Sequence, residues 1–587
     1  MSHFTHPHPS VPLRAVMHLV MLETNGNQRY VFSSPRLKEN VGASFLLTQL
    51  VPWTQEAAAD LGLPESAWVS RSSGKVILRA EESAARALIS AVTARALCEA
   101  PGMDVSGVMV PMASEYVTEG DLRKVHTEAA RYALSRPPAA ARFPMTPFLQ
   151  PGADSSLPAA RVHEGSPRSL PSIVTRQAAE HARAALVDLA EQHPSLTDRA
   201  EALVRTPEQL EAFFSSDSQE SEAAKAAVLH LDGNGVGAMV RDLPTHLKCL
   251  PPEVVREEIG ADLSKNHPDL LRRALLVVNE RMNAAMRQAF LEGWAEVARL
   301  AEAREPSSGT GDGVIPVVPV ILGGDDATVI TAGRYALPFA AAFLTAFEEA
   351  TAQDTLLCAL NGGAGLTAGA GVAITDRSFP FQLAYKLAES LASKAKTMGK
   401  SLPTPRSTLM HHVLYDSTLL DTDGVLSAYT PFEGSFTPED PLNGPTARPF
   451  VVDARTPDVD GGAGRPCHGE RWSGMLARVA WFQGLLPAPG AETAVAFPRT
   501  RAARIRRVLS DAVCAPTKSE RQETLVPARR EWEAAAAEPD LRALTEAIGS
   551  EQLVLDLLDL ADVLPEPYLR GASDTGFAAT TMEGEQA

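Results

Sequence analysis

The sequence predicts an α+β fold built from two βαββαβ units with helical modules around them. Three observations lead there. Apolar, strand-like runs open two separated stretches of the chain. Each run is followed by the same order of helix, strand pair, helix and strand. Between two runs of β-branched and apolar residues in the second stretch lies Gly323-Gly-Asp-Asp326. At 587 residues the chain is too long for one hydrophobic core, so several domains are expected. Hydrophobic residues at 45% and charged residues at 21% give the balance of a folded protein.

The first unit opens with Ala15-Val-Met-His-Leu-Val-Met-Leu22 as a strand, followed by Glu23-Thr-Asn-Gly26. A helix is expected over Pro35 to Leu50, a hairpin turn at Ser72-Ser-Gly-Lys75, an Ala-rich helix from Glu81 to Cys98, and a strand from Val105 to Val110. That order is the ferredoxin-like arrangement. From Arg136 to Pro171 proline, serine and glycine accumulate, the composition of a linker or irregular insert. Helical periodicity returns from Ile173 to Phe214.

The second unit starts with the strand Ala226-Ala-Val-Leu-His-Leu-Asp232, then Asp232-Gly-Asn-Gly-Val-Gly237 and a helical excursion best formed from Leu270 to Arg304. The strands Val314 to Leu322 and Ala327 to Ala332 flank the Gly-Gly-Asp-Asp turn. A helix from Leu337 to Ala352, a strand from Leu366 to Ile374, a helix from Phe381 to Met398 and a strand from Ser407 to Tyr415 complete it. The shared order reads as a tandem duplication. Thr430 to Gly469 is dense in Pro, Gly and Asp, and a helical C-terminal domain runs from Glu470 to about Leu569 before an acidic, frayed tail. The expected boundaries are residues 1–125 for the first unit, 126–222 for the linker and helical module, and 223–425 for the second unit. Residues 426–469 form a linker, 470–570 the C-terminal domain and 571–587 a disordered tail.

A net charge of −18 argues against broad attraction to a nucleic-acid backbone. The basic run Arg499 to Arg507 reads as a solvated helix face. The start lacks a secretory signal and no segment is apolar enough to span a bilayer, so a cytoplasmic protein is expected. Cys98, Cys249, Cys358, Cys467 and Cys514 form no CxxC pair, so neither a disulfide framework nor a zinc knuckle is expected. His3, His6 and His8 sit in an expected floppy terminus. His411 and His412 are strand neighbours that point to opposite faces, and Cys467-His468 has no second ligand pair.

Chemistry concentrates in the second unit. Two adjacent aspartates at a hairpin tip do not both ionise cheaply unless a cation lies between them, and glycine at the turn allows close approach of a phosphate. Mg²⁺ or Mn²⁺ takes carboxylate oxygens together with substrate phosphates, so Asp325 and Asp326 suit such an ion. Asp232 ends the first strand, which is central in a ferredoxin-like sheet and lies beside the hairpin, so three acids converge. Two such ions support attack of a 3′-hydroxyl on an α-phosphate with loss of pyrophosphate, the chemistry of polymerase and cyclase palms. Asp232, Asp325 and Asp326 are therefore the expected catalytic and metal residues. Gly233, Asn234, Gly235, Gly323, Gly324 and Lys396 are the expected nucleotide contacts, with Lys394 an alternative cation. Gly233, Gly235 and Gly237 would open the start of the following helix to phosphate oxygens or a base.

At this point the residues resemble a known family, the large polymerase/cyclase subunit of type III CRISPR effector complexes, with its two palm domains. Glu23-Thr-Asn-Gly-Asn-Gln-Arg-Tyr-Val-Phe32 is similar to the start of that family's first palm. Asp232-Gly-Asn-Gly-Val-Gly237 and Gly323-Gly-Asp-Asp326 resemble the strand end and metal-binding hairpin of its second. Leu366 to Ile374, Phe379-Pro-Phe381 and Ala395-Lys396 are similar to the strand and helix that close it. The resemblance covers roughly residues 15 to 420. It implies synthesis of cyclic oligoadenylate from ATP in antiviral signalling, beside other effector subunits with guide RNA and target RNA.

The departures also carry expectations. The first palm begins within about 15 residues of the start, so the family's N-terminal HD nuclease is not expected. Pro151 to Pro158 lies where a zinc insert is common, without a cysteine, so no zinc is expected. Asn234 replaces an often acidic position. Glu23 and Ser72-Ser-Gly-Lys75 stand where the first palm would need its catalytic acids, and Lys75 would repel a metal, so that palm is expected to be a degenerate, structural partner completing the nucleotide pocket. Three alternatives stay open: a palm scaffold without turnover, a template-dependent polymerase, and a cyclic dinucleotide synthase that shares the palm and the Gly-Gly-acid turn.

Overall fold

In the computed structural model, residues 16–72, 74–213, 225–303, 316–414, 448–452, 471–513, 518–549 and 553–576 are described. His3, His6, His8, Ser73, most of the Thr430 to Gly469 stretch, Cys467, His468, Cys514 and the tail beyond Gly576 lie outside them. The chain forms two compact units: Met1–Tyr30, Phe45–Val174 and Val240–Glu280 in one, Val31–Ser44, Thr175–Met239 and Arg281–Ala587 in the other.

The first unit holds strands β1 (Met17–Asn25), β2 (Trp68–Ser72), β3 (Lys75–Glu81) and β4 (Asp104–Pro111). They form a four-stranded sheet in the order β2-β3-β1-β4, with β1 central and its pairings to β3 and β4 antiparallel. This is the ferredoxin-like order predicted above. Leu19, Val20 and Leu22 of β1 are wholly buried, as a central strand covered by helices requires. The Glu82–Glu99 helix follows β3 and packs on β1 and β4 through Ala85, Leu88 and Val92.

The structure departs from the sequence reading at three places. The single helix expected over Pro35 to Leu50 is a series, Asn27–Val31, Leu37–Thr48 and Leu50–Asp60. A helix not anticipated, Glu119–Ser135, is nucleated by a capping box: the Thr118 hydroxyl accepts from the Asp121 amide at 3.2 Å while Asp121 accepts from the Thr118 amide. The Pro-rich insert contains a hairpin, β5 (Ala159–His163) and β6 (Ser166–Ser169). Its turn residues Glu164 and Gly165 have φ of 48° and 72°, the type I′ pattern, and the buried Arg168–Asp154 pair at 2.5 Å fixes the loop beneath it.

The second unit carries β7 (Lys225–Gly233), β8 (Val317–Gly323), β9 (Asp326–Ala332), β10 (Ala368–Asp376), β11 (Thr408–Val413) and β12 (Phe450–Val451). The six-stranded sheet runs β12-β11-β10-β7-β9-β8. Its β10-β7-β9-β8 portion repeats the ferredoxin-like order, with β11 added parallel to β10. The Leu270–Glu302 helix lies between β7 and β8 in sequence, and its Phe290 meets Phe339 of the Gly333–Gln353 helix edge-on at 5.8 Å.

Two helices cover opposite faces of β10. A Cβ at Gly371 would lie 2.0 Å from the Ala388 carbonyl, and one at Gly369 2.4 Å from Lys396 Cγ, so the Phe381–Ser401 helix rests directly on these glycines. The start of the Gly333–Gln353 helix instead meets Ile374, of opposite parity along the strand. From Trp472 onward the regular elements among the described residues are helices. The Val554–Val563 helix is tied to the sheet through Arg448, which donates to Asp556 at 2.6 Å, to Asp559 at 2.8 Å and to the His411 carbonyl at 3.0 Å. Among the described residues, no helix is long and apolar enough to cross a membrane.

Candidate metal and nucleotide site

Register brings the acids together. On β7 and β9, Asp232 faces Asp326 directly, and Gly323 of β8 also pairs with Asp326. Gly324 and Asp325 form the two-residue turn; Gly324 alone of the two has positive φ, at 68°, which places glycine at the first turn position. The Gly324 N–H donates to Asn283 Oδ1 at 2.8 Å, and the Gly233 N–H donates to the Asp325 carbonyl at 2.9 Å. The hairpin is therefore held to the end of β7 and to the long helix at once. Its tip is half-buried at both aspartates, because the end of β7 packs against it.

The electrostatics follow from that crowding. Burial first, then the neighbouring Asp232 and Asp325 charges, push the Asp326 carboxyl up to about 7. Burial and Asp232 also raise the Asp325 carboxyl above the usual carboxylate range. Lys396 donates from its ammonium to Asp232 Oδ2, and their side chains are 18% and 22% exposed, so this pair is poorly screened. Lys396 reaches Asp232 because Gly369 is the cross-strand partner of Asp232 and supports the helix at that height.

The glycines divide by task. A Cβ at Gly233 would lie 2.7 Å from Val236 Cγ2, so tight packing requires glycine there, whereas one at Gly235 or Gly237 would meet nothing within 4 Å. Asn234 is buried; its amide donates to Thr367 Oγ1 at 2.9 Å, and its Oδ1 is buried without a partner among the described residues.

One residue of the cluster went unnoticed in the sequence. A ring nitrogen of His230 and oxygens of Asp232 and Asp326 lie within 4.8 Å of one another. Burial lowers the His230 pKa and favours the neutral imidazole. The signal was its position two residues before Asp232 on a strand, which puts both side chains on one face.

Oxygen donors of this number suit a hard divalent ion. Asp326, raised to about 7, holds a proton up to near neutral pH, and an ion would replace that proton. The residues present fit Mg²⁺ or Mn²⁺.

The corresponding corner of the first unit is chemically different. Glu23 pairs with Lys75 across the strands at 3.7 Å, so the carboxylate already has a cation. Elsewhere, Arg501, Arg504 and Arg506 of the basic run pair with Glu531, Glu538 and Asp559. His411 and His412 are both buried on β11. Cys98 and Cys249 are exposed and free.

No protein-family model matches the chain, and no curated protein matches it. Among solved structures it is similar to Csm1-Csm4 assemblies. An apo Csm1-Csm4 cassette is 12% identical at a TM-score of 0.38, with 67% of this chain and 54% of that chain covered. A Csm1-Csm4 cassette in complex with cA4 is 12% identical at 0.45, with 94% and 70% covered. The Csm1-Csm4 subcomplex in the type III-A CRISPR-Csm interference complex is 12% identical at 0.42, with 93% and 70% covered. The chain thus spans 54% to 70% of the length of these structures.

Proposed function

We propose that the second palm is a metal-dependent nucleotidyl transferase in which a 3′-hydroxyl attacks the α-phosphate of ATP, with cyclic oligoadenylate as product. The observation that carries this reading is the pairing of Asp232 with Asp326 at the ends of β7 and β9, with Asp325 in the adjoining turn near enough that, after burial and Asp232, its charge helps push Asp326 up to about 7. Such crowding is costly without a cation and is resolved by one.

Asp232, Asp325 and Asp326 would hold the divalent ions. When bound, those ions supply activation of the attacking hydroxyl and neutralise charge on the leaving pyrophosphate. The chain's own residues orient the substrate. The Gly323-Gly324 backbone brings the turn close to phosphate oxygens, with Asn283 fixing its angle. Lys396, which pairs with Asp232 at the strand end, would supply a point charge toward the triphosphate. Open space at Gly235 and Gly237 leaves room beside the strand end for the nucleotide. The Asn234 Oδ1, buried and without a hydrogen-bond partner among the described residues, would accept from a ribose hydroxyl or a base amino group. The adenine preference, the antiviral role and the need for effector subunits with guide and target RNA follow from the motif resemblance.

One observation favours the alternative of a palm scaffold without turnover: Lys396 already neutralises Asp232. The two readings separate when purified chain is incubated with each labelled nucleoside triphosphate and Mg²⁺ or Mn²⁺, with and without partner subunits and target RNA. Cyclic oligoadenylate in the mass spectrum supports the transferase. No product and no ATP binding under any condition supports the scaffold.

A further inference from the structure

The sheet face that carries Asp232 and Asp326 also carries His230 and Thr328, since the register pairs His230 with Thr328 and Asp232 with Asp326. These are alternate cross-strand pairs on β7 and β9, so all four side chains project to the same side. The imidazole is 6% exposed, with Nδ1 at 3.2 Å from Thr328 Oγ1. The Tyr385 ring stands edge-on to it at 5.6 Å, and Tyr385 in turn packs on Phe32 at 5.0 Å. These contacts fix the ring plane. Nε2 makes no hydrogen bond among the described residues. A ring nitrogen lies within 4.8 Å of ligand oxygens on both aspartates, close enough for one ion to engage all three after small side-chain adjustments.

We propose that His230 is a metal ligand, giving one position of the site a mixed imidazole and carboxylate donor set that favours Mn²⁺ over Mg²⁺. The proposal rests on the reading of the aspartates as metal ligands. Mg²⁺ takes oxygen almost exclusively, keeps its waters and demands near-ideal octahedral geometry, so a fixed ring nitrogen adds little to its binding. Transition ions accept imidazole readily, and Mn²⁺ also accepts the carboxylates that dominate here. The contact from Thr328 to Nδ1 orients the ring, as outer partners of ligating histidines do. A histidine that merely fills the space beneath Tyr385 would leave metal preference untouched.

The test uses the full chain with Mn²⁺ alone, without nucleotide, at less than one equivalent, read by pulsed electron paramagnetic resonance. Wild type is expected to show nitrogen coupling to the bound Mn²⁺, and labelling histidine with ¹⁵N is expected to convert that signal to the ¹⁵N pattern. His230→Gln and His230→Asn, checked for folding by circular dichroism, are expected to lose the coupling. They should also weaken Mn²⁺ binding on the order of tenfold while changing Mg²⁺ competition by less than about threefold. The ¹⁵N measurement on wild type stands even where a substitution fails to fold.

Mn²⁺ that binds with an oxygen-only spectrum, or nitrogen coupling that persists in both variants, would overturn the assignment of His230 and leave the aspartate site intact. Mn²⁺ binding that is unchanged by Asp325→Ala with Asp326→Ala would instead overturn the site itself, and the inference with it.

Discussion

Replacing Asp326 with Asn removes one charge from a crowded carboxylate group while keeping its shape. A carboxyl raised from 3.8 to about 7 binds a proton in the folded chain that the unfolded chain has already released. Between those two values the folded state holds more protons, so stability falls as pH rises through the window, the reverse of the usual aspartate case. Below about pH 3 both states are protonated and the penalty vanishes. Above pH 7 it is complete. That rise corresponds to about 4 kcal/mol, and because Asp325 is raised as well, relief by one substitution is about 1–3 kcal/mol. Thermal unfolding at pH 5 and pH 8, in EDTA and in excess Mn²⁺, reads the effect. Without divalent ions, Asp326→Asn should unfold a few degrees higher than wild type at pH 8, and the gap should narrow at pH 5. Mn²⁺ should raise the wild-type midpoint more than that of the variant, because only wild type keeps the full ligand set. A variant less stable than wild type at pH 8 in EDTA, or an unchanged pH slope, would refute the reasoning.

Gly371→Ala should cost about 2–4 kcal/mol and lower product yield, because the new Cβ would meet the Ala388 carbonyl at 2.0 Å and lift the helix that carries Lys396; the midpoint of thermal unfolding checks it. Arg448→Ala should destabilise by about 3–5 kcal/mol by leaving Asp556 and Asp559 buried beside a lost cation, measured by urea unfolding. Glu23→Gln should leave product yield within about twofold, because Glu23 already pairs with Lys75 outside the metal chemistry. A loss beyond tenfold in a product assay would contradict it.

Much of the fold was legible because it rests on strand periodicity and strong punctuation. The apolar runs before Glu23 and Asp232, and the glycines at 323 and 324, mark the strands and the turn that the sheets use. The acids were legible for the same reason: a strand end and a hairpin tip are positions sequence can name. Their convergence became specific only through register, which pairs Asp232 with Asp326. Other features depend on partners distant in sequence. Asn283, 41 residues before Gly324, steadies the turn from within a helix that reads as ordinary amphipathic sequence. The position of Lys396 over Asp232 is set by where Gly369 and Gly371 admit the helix, which composition does not reveal. His230 reads as one polar residue in an apolar strand until its neighbour across the sheet is known. The β5–β6 hairpin lay beneath proline-rich composition, and only the Glu164-Gly165 turn and the buried Arg168–Asp154 pair distinguish it from a linker.

The central claim is that Asp232, Asp325 and Asp326 form one nucleotidyl-transfer site. Its most direct test is the release of pyrophosphate from α-labelled ATP by wild type and by Asp325→Ala with Asp326→Ala, with Mn²⁺ or Mg²⁺, with and without partner subunits and target RNA. Wild type should release pyrophosphate in step with labelled, phosphatase-resistant cyclic product, and the folded double variant should release none. Equal turnover by the double variant would contradict the account.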